Sequence, residues 1–315
     1  MKRMAAFVAV VIMLLVAAPV VCAQQVTDEK FRFSDPNPAY REGEGPRVCI
    51  DAAHNNFHTA DGRYKPFADL LRGDGYRVSG TTGKFSPTML AACDVLVISN
   101  AIGDDNRERW AFPHPSAFTR AEIEAVYNWI RGGGALLLIV DHAPMAGAAS
   151  DLGAMLGVAM LDGYTRGRRG PPAPLPDVFS WESGLLADHA IVGGRNDTER
   201  ISRVATFTGH AFLASNDFAP ILRFGPDAVA TVHLGFNFED LPSDQWPRFS
   251  ISGWLHAASR RLGKGRVVLL GEAAMCTAQV AGREREPMGM NHPAAAQNAQ
   301  FCISTVRWLS GLLGD

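Results

Sequence analysis

The chain has 315 residues, 47% of them hydrophobic and 20% charged, with 30 Lys and Arg against 32 Asp and Glu and a formal net charge of −2. That composition supports a sizeable core, and it offers no general attraction to nucleic acid or to an acidic membrane surface. Neither an internal repeat nor a low-complexity tract is present.

Lys2 and Arg3 precede an apolar run from Met4 to Val21 that contains Pro19 and ends near the small residue Ala23. This reads as a secretory signal peptide over residues 1–23, with cleavage after Ala23, because the run is short for a bilayer span. A lipid anchor on Cys22 is the rival, though Val21 is a poor residue before a lipidated cysteine. No later stretch is long enough to cross a membrane, so the expected location is the periplasm or the exterior. Losing Lys2 and Arg3 takes the formal charge from −2 to −4. A small ligand is then the expected partner.

Residues 24–46 form an N-terminal extension, and 47–315 read as a single α/β domain. "RVCID" (47–51), "YRVSG" (76–80), "DVLVISN" (94–100), "ALLLIVD" (135–141) and "RVVLLGE" (266–272) are short apolar runs of the kind buried on both faces of a parallel sheet. A helix begins near Arg63, with Pro66 in its first turn. A second starts at Thr119, where Thr119 and Glu122 have capping-box spacing and Ile123, Val126, Tyr127 and Ile130 form the apolar stripe. A shorter helix follows Ser150, and the last runs from about Pro293 to Leu309. Right-handed crossovers then leave a doubly wound, flavodoxin-like sheet with helices on both faces.

Two regions break the rhythm. An insertion over about 160–200 carries Arg166, Arg168 and Arg169 and then several prolines between Asp162 and Asp177; it reads as an exposed loop or as a lid over the site. "RVATFTG", "APILRFG" and "AVATVHLG" read as further strands, and "ASRRLGKGRVVLLGE" as a hairpin in which Gly263-Lys264-Gly265 turns an edge strand back into the final central strand. A helix over 251–262 is the alternative for its first half.

Four cysteines follow the leader. Cys49, inside a strand, reads as a small apolar filler; Cys276 and Cys302 could bridge, which the sequence does not decide.

In such sheets the ligand site lies beyond the carboxyl ends of the strands. The first strand ends in Asp51, followed by His54, Asn55 and His58; the third leads to Asn100, Asp104 and Asp105. The fourth ends at Asp141 and His142, the hairpin strand at Glu272, and the last helix is entered through Asn291 and His292. Caps explain some of these polar residues singly. Two imidazoles and two carboxylates at strand ends exceed what capping needs.

Asp141, His142 and Glu272 are therefore the candidate catalytic residues, with Asn55, Asn100, Asp104 and Asn291 as candidate substrate ligands. The sequence demands no cofactor; His54 and His58 are the candidate ligands of a divalent ion such as zinc. Their H-x-x-x-H spacing lies in a loop and lacks the glutamate of H-E-x-x-H. No G-x-S-x-G elbow and no G-x-G-x-x-G loop follows a strand, which disfavours a serine nucleophile and a nucleotide cofactor.

"NWIRGGGALLLIVDHAP", "LADHAIVGG" and "SGWLHAASRRLGKGRVVLLGEAAM" resemble, in order, segments of ThuA-like proteins within the class I glutamine-amidotransferase-like superfamily, and the resemblance extends from about Arg47 to the C-terminus. It implies a flavodoxin-like α/β sandwich and a link to sugar utilisation. It does not imply amidotransferase activity, because the elbow cysteine is missing and His142 stands near its place. Two functions follow: a secreted hydrolase or acid/base enzyme on a small polar, sugar-derived substrate, with or without a metal, or a catalytically inactive binding or scaffold module of the cell envelope.

Overall fold

The computed structural model describes residues 25–166, 176–232 and 247–314. At its centre are five parallel strand partners: β1 (Arg47–Asp51), β2 (Arg77–Thr81), β3 (Val95–Ser99), β4 (Ala135–Ile139) and a late strand, Gly265–Leu270. Their order in the sheet is β2, β1, β3, β4 and then Gly265–Leu270. This is the doubly wound order of flavodoxin-like sheets, and it puts the switch point between β1 and β3.

The apolar runs form central strands because both of their faces are covered. Along β4 and the residue after it, Ala135, Leu137 and Ile139 join one hydrophobic cluster while Leu136, Leu138 and Val140 join the other. That is the two-residue alternation of a strand, with apolar side chains in both phases. Helix α1 (Lys65–Gly73) covers the first face, with Phe67 and Leu71, and α2 (Arg120–Gly132) covers the second, with Ile123, Val126 and Ile130. The expected capping box of α2 is formed: Thr119 Oγ1 accepts from the Glu122 backbone N–H, and Glu122 accepts from the Thr119 N–H. Helix α3 (Met145–Met155) starts earlier than the sequence suggests. At the end, a 3-10 turn over Pro293–Ala295 precedes α4 (Asn298–Leu309), so the last helix is broken where a continuous one was expected.

The sheet continues past its parallel part with β5 (Val158–Met160), β6 (Phe212–Ala214), β7 (Ala219–Arg223), β8 (Leu255–Leu262) and β9, the Gly265–Leu270 strand, to make nine strands in all. β8 and β9 form the expected hairpin, turning at Gly263 with φ 63°, where a Cβ would sit 2.7 Å from the Arg131 carbonyl. Only glycine fits there. Two expectations change: β8 is no edge strand, because β6 and β7 also pair with it, and it is not helical. β2 is the edge, so its side chains are largely exposed and not buried on both faces.

Cys49 bridges to Cys93, tying β1 to the turn before β3, and Cys276 bridges to Cys302 in α4. The reading of Cys49 as filler is thus corrected: it lies in the core, as a filler would, but on the second face beside another buried cysteine.

The extension at 25–46 runs from a carboxyl-end cavity, which Gln25 lines, to the amino ends of the sheet, where Asp35, Tyr40 and Gly45 meet Arg307, Asp74 and Gly75. Arg307 of α4 is wholly enclosed and its guanidinium meets Asp35 at 2.7 Å, Asp74 through Nε at 2.9 Å and Glu199 at 3.1 Å. Val26–Thr27 pairs with the hairpin strand Ala278–Ala281, which the sequence reading missed together with its partner Glu286–Gly289. No helix of the described residues is long and apolar enough to cross a membrane.

Candidate functional site

A cavity of about 510 Å³ opens at the carboxyl ends of the parallel strands. The loop after β1 supplies Phe57, His58 and Arg63 to its wall; Asn100 follows β3, and Asp141, His142 and Met145 follow β4. Trp110, Thr208, Ala274, Gln279, Met288 and Gln25 complete the lining. The switch-point rule therefore locates the cavity. A second cavity of about 330 Å³ lies between the N-terminal extension and α1, bordered by Lys65 and Asp69, which pair with each other. Its charged lining, Asp28, Glu29, Arg32, Lys65 and Asp69, includes no histidine.

Asn100 organises the first cavity. Its backbone takes φ 49°, in the left-handed region that asparagine tolerates. Its Oδ1 accepts the Asp141 backbone N–H at 2.9 Å, which fixes the amide orientation and turns Nδ2 toward His58 Nδ1 at 3.2 Å. His58 Nδ1 is therefore the acceptor and its Nε2 carries the proton. Burial, reinforced by the charge of Arg63, lowers the His58 pKa to about 3, so the ring is a neutral hydrogen-bond donor.

His142 has the opposite tautomer. Its Nδ1 is 2.7 Å from the Ala143 carbonyl, which can only accept, so Nδ1 bears a proton and, in the neutral ring, the lone pair lies on Nε2. That Nε2 is 4.0 Å from Asp141 Oδ1, and the same Oδ1 accepts the His142 backbone N–H at 2.8 Å. Tyr164 stacks on the imidazole with centroids 4.3 Å apart, and Trp110 lies 6.2 Å away on a tilted plane. The wall thus carries the His58 N–H donor, the His142 imidazole and the Asp141 side chain among aromatic rings.

The other expected residues do not line this cavity. His54 is buried between Phe85 and Phe118, with Nδ1 2.8 Å from Asp51 and Nε2 2.9 Å from Glu122. Burial alone would raise the Glu122 carboxyl, but hydrogen bonds from His54 and Thr119 overcome it and hold the group at about 2. With both His54 nitrogens engaged and His58 Nδ1 taken by Asn100, the two imidazoles do not fit a shared metal. Among the described residues no group of three or more His, Cys, Asp or Glu could hold an ion.

Glu272 lies behind the wall, fully buried, and accepts the N–H groups of Phe207 at 3.2 Å and Met275 at 2.8 Å. Burial first, and the charge of Asp141 second, push its pKa well above the ordinary carboxyl range. It holds the turn that presents Ala274. Asn55 donates to Ile102 O and to Asp104 at 2.9 Å, closing a loop outside the cavity. Asn291 donates to Asp28 and to Gln279 O, fastening the N-terminal strand.

Arg63, Gln279 and Trp110 are the residues sequence reasoning missed. Arg63 stood next to a predicted helix start in the loop after β1, which was a usable signal. Gln279 had none, because its hairpin has no marked periodicity. The lid reading of Arg168 and Arg169 falls outside the described residues, as does the side chain of Arg166.

No protein-family model and no curated protein matches the chain. Among solved structures, the mmIFT52 N-terminal domain is similar with TM-score 0.56 and 12% identity, covering 85% of this chain and 98% of that one. A putative ThuA-like protein from Bacteroides uniformis ATCC 8492 is 13% identical with TM-score 0.47, covering 88% and 94%. A putative GMP synthase subunit from Thermoplasma acidophilum is 10% identical with TM-score 0.39, covering 84% and 98%. The first of these shows a shared mixed α/β fold with a large, mostly parallel sheet. At these identities the likeness does not extend to the site.

Proposed function

We propose that the protein is an acid/base enzyme acting on a small polyhydroxylated, sugar-like substrate held in the strand-end cavity. The observation that supports this best is the pair of imidazoles lining the cavity: His142 is bonded through Nδ1 and His58 accepts at Nδ1, so both have Nε2 to present to a ligand. His142 would accept a proton from a substrate hydroxyl or an attacking water, and the nearby Asp141 carboxylate would stabilise the imidazolium that forms. His58, being neutral, would orient an oxygen of the substrate without exchanging its own proton. Phe57 and Trp110, 5.4 Å apart and edge to face, offer apolar surface for the C–H face of a sugar ring.

A second reading, a binding module without turnover, is favoured by Glu272, whose burial leaves the cavity with a single carboxylate. We infer an extracytoplasmic location in either case. It is supported by the predicted leader and by two buried cystines, which persist in oxidising compartments.

The test combines a thermal-shift screen of monosaccharides and glycosides with product analysis on wild type and His142→Ala. The enzyme reading expects His142→Ala to bind the same ligand and turn it over roughly 10²- to 10⁴-fold more slowly. Binding without turnover in the wild type would establish the module instead, and binding to no polyhydroxylated compound would end both.

A further inference from the structure

Arg63 enters the cavity from the loop between β1 and α1, its guanidinium carbon 3.9 Å from the centroid of the Phe57 ring. Among the described residues it makes no ion pair and no hydrogen bond. Burial lowers its pKa, but a guanidinium keeps its charge. Asp141 lines the same cavity without pairing with it. An aromatic face compensates a desolvated cation only in part, and the planar fork of five N–H donors matches a carboxylate in a bidentate pair.

A second, independent group is also left open. Gln279 is 1% exposed; its Nε2 donates to Thr277 Oγ1 at 2.8 Å while its Oε1 has no partner. A buried acceptor without a donor is costly, and this one belongs to a residue of the cavity wall. It suits a ligand hydroxyl. The charge on the ligand can be narrowed further: Arg63 contributes one positive charge and Asp141 one negative charge, so a monoanion is accommodated more readily than a phosphate dianion.

Resting on the reading of the cavity as a sugar site, we infer that the ligand is a cyclic sugar monocarboxylate, a hexuronate, with its carboxylate on Arg63 and a hydroxyl donating to Gln279 Oε1. Arg63 is then the residue that selects acidic over neutral sugars. Gln279 binds both kinds alike.

Calorimetric titration of the mature chain with D-glucuronate, D-galacturonate, D-glucose, D-glucose 6-phosphate and acetate tests this. At least one uronate is expected to bind roughly tenfold or more tightly than glucose, with Arg63→Gln abolishing the preference and Arg63→Lys retaining part of it. Gln279→Leu is expected to weaken uronate and glucose equally. The preference should also shrink with rising salt in the wild type, a readout that holds even if a variant fails to fold. Glucose binding as well as the uronates, or a preference unchanged in folded Arg63→Gln, overturns the inference and leaves the sugar site standing. A preference for glucose 6-phosphate moves the clamp to phosphate, acetate binding as well as a uronate removes the sugar, and either result overturns it. Binding of no sugar at all overturns both readings.

Discussion

The two edges of the central sheet treat the same kind of group in opposite ways. At the amino edge Arg307 is enclosed and meets Asp35, Asp74 and Glu199. At the carboxyl edge Arg63 lies in a cavity, over one aromatic ring, and meets no carboxylate among the described residues. The contrast recurs within five residues of one loop: His54 has a carboxylate at each nitrogen, whereas His58 has only an amide at Nδ1. Polar groups whose partners come from the fold hold the fold together. Those left with capacity to spare are available to a ligand, which is why the site is read at the carboxyl edge.

Removing the amino-edge cation should have the largest effect. Arg307→Met leaves Asp35, Asp74 and Glu199 without their shared partner and should cost about 3–5 kcal/mol in urea unfolding, with ligand affinity at the cavity unchanged in the folded fraction. Replacing Cys276 and Cys302 together by serine opens a loop of sequence separation 26 and should cost about 3 kcal/mol. Unlike the first change, this one should also weaken ligand binding, because the bridge anchors the turn that carries Ala274 in the cavity wall. Equal affinity in the bridged and unbridged proteins would separate the wall from the bridge.

Acid should act next, beneath the carboxyl edge. His210 and His256 are fully buried, their Nδ1 atoms donate to the carbonyls of Val140 and His210, and burial lowers both pKa values from 6.5 to about 4. The unfolded chain binds these protons first, so stability falls as the pH drops from about 6.5 toward 4, by a few kcal/mol in all. His256→Gln should flatten that slope in pH-dependent chemical denaturation. Glu122 adds a lower window: its depressed pKa stabilises the fold above 4.5, and that contribution is lost as the pH falls toward 2. Glu122→Gln should remove the lower window only. The smallest effect on stability is expected for His142→Ala, within about 1 kcal/mol by the same denaturation, since the ring is partly exposed and makes one side-chain hydrogen bond, to its neighbour's carbonyl. A larger loss would mean that His142 belongs with the structural histidines.

The sheet core was legible because β1, β3, β4 and β9 each hold consecutive apolar residues whose burial on both faces leaves the strand centres no polar phase. The Thr119 capping box and the Gly263 hairpin were legible because each rests on contacts a few residues apart. β5 and β6 have three residues apiece and exist through pairing with distant strands, so no local pattern announces them. Within the site, strand ends pointed to Asn100, Asp141 and His142 but could not say which of His54 and His58 faces the cavity. That choice depends on Glu122, 68 residues from His54, which occupies the first ring and leaves the second. Cys49 was misread for the same reason, its partner being 44 residues away.

Asn100 joins two independent demands. Its main chain, at φ 49°, is congenial to glycine, asparagine and aspartate and hostile to bulkier or branched residues. Its side chain must accept from Asp141 N–H at one end and donate to His58 at the other. Glycine satisfies the first demand and neither half of the second; aspartate has no proton for His58. Asparagine alone meets both, so this position should be immutable wherever the site is retained, and its loss in a relative would mark a descendant in which the pocket has been abandoned.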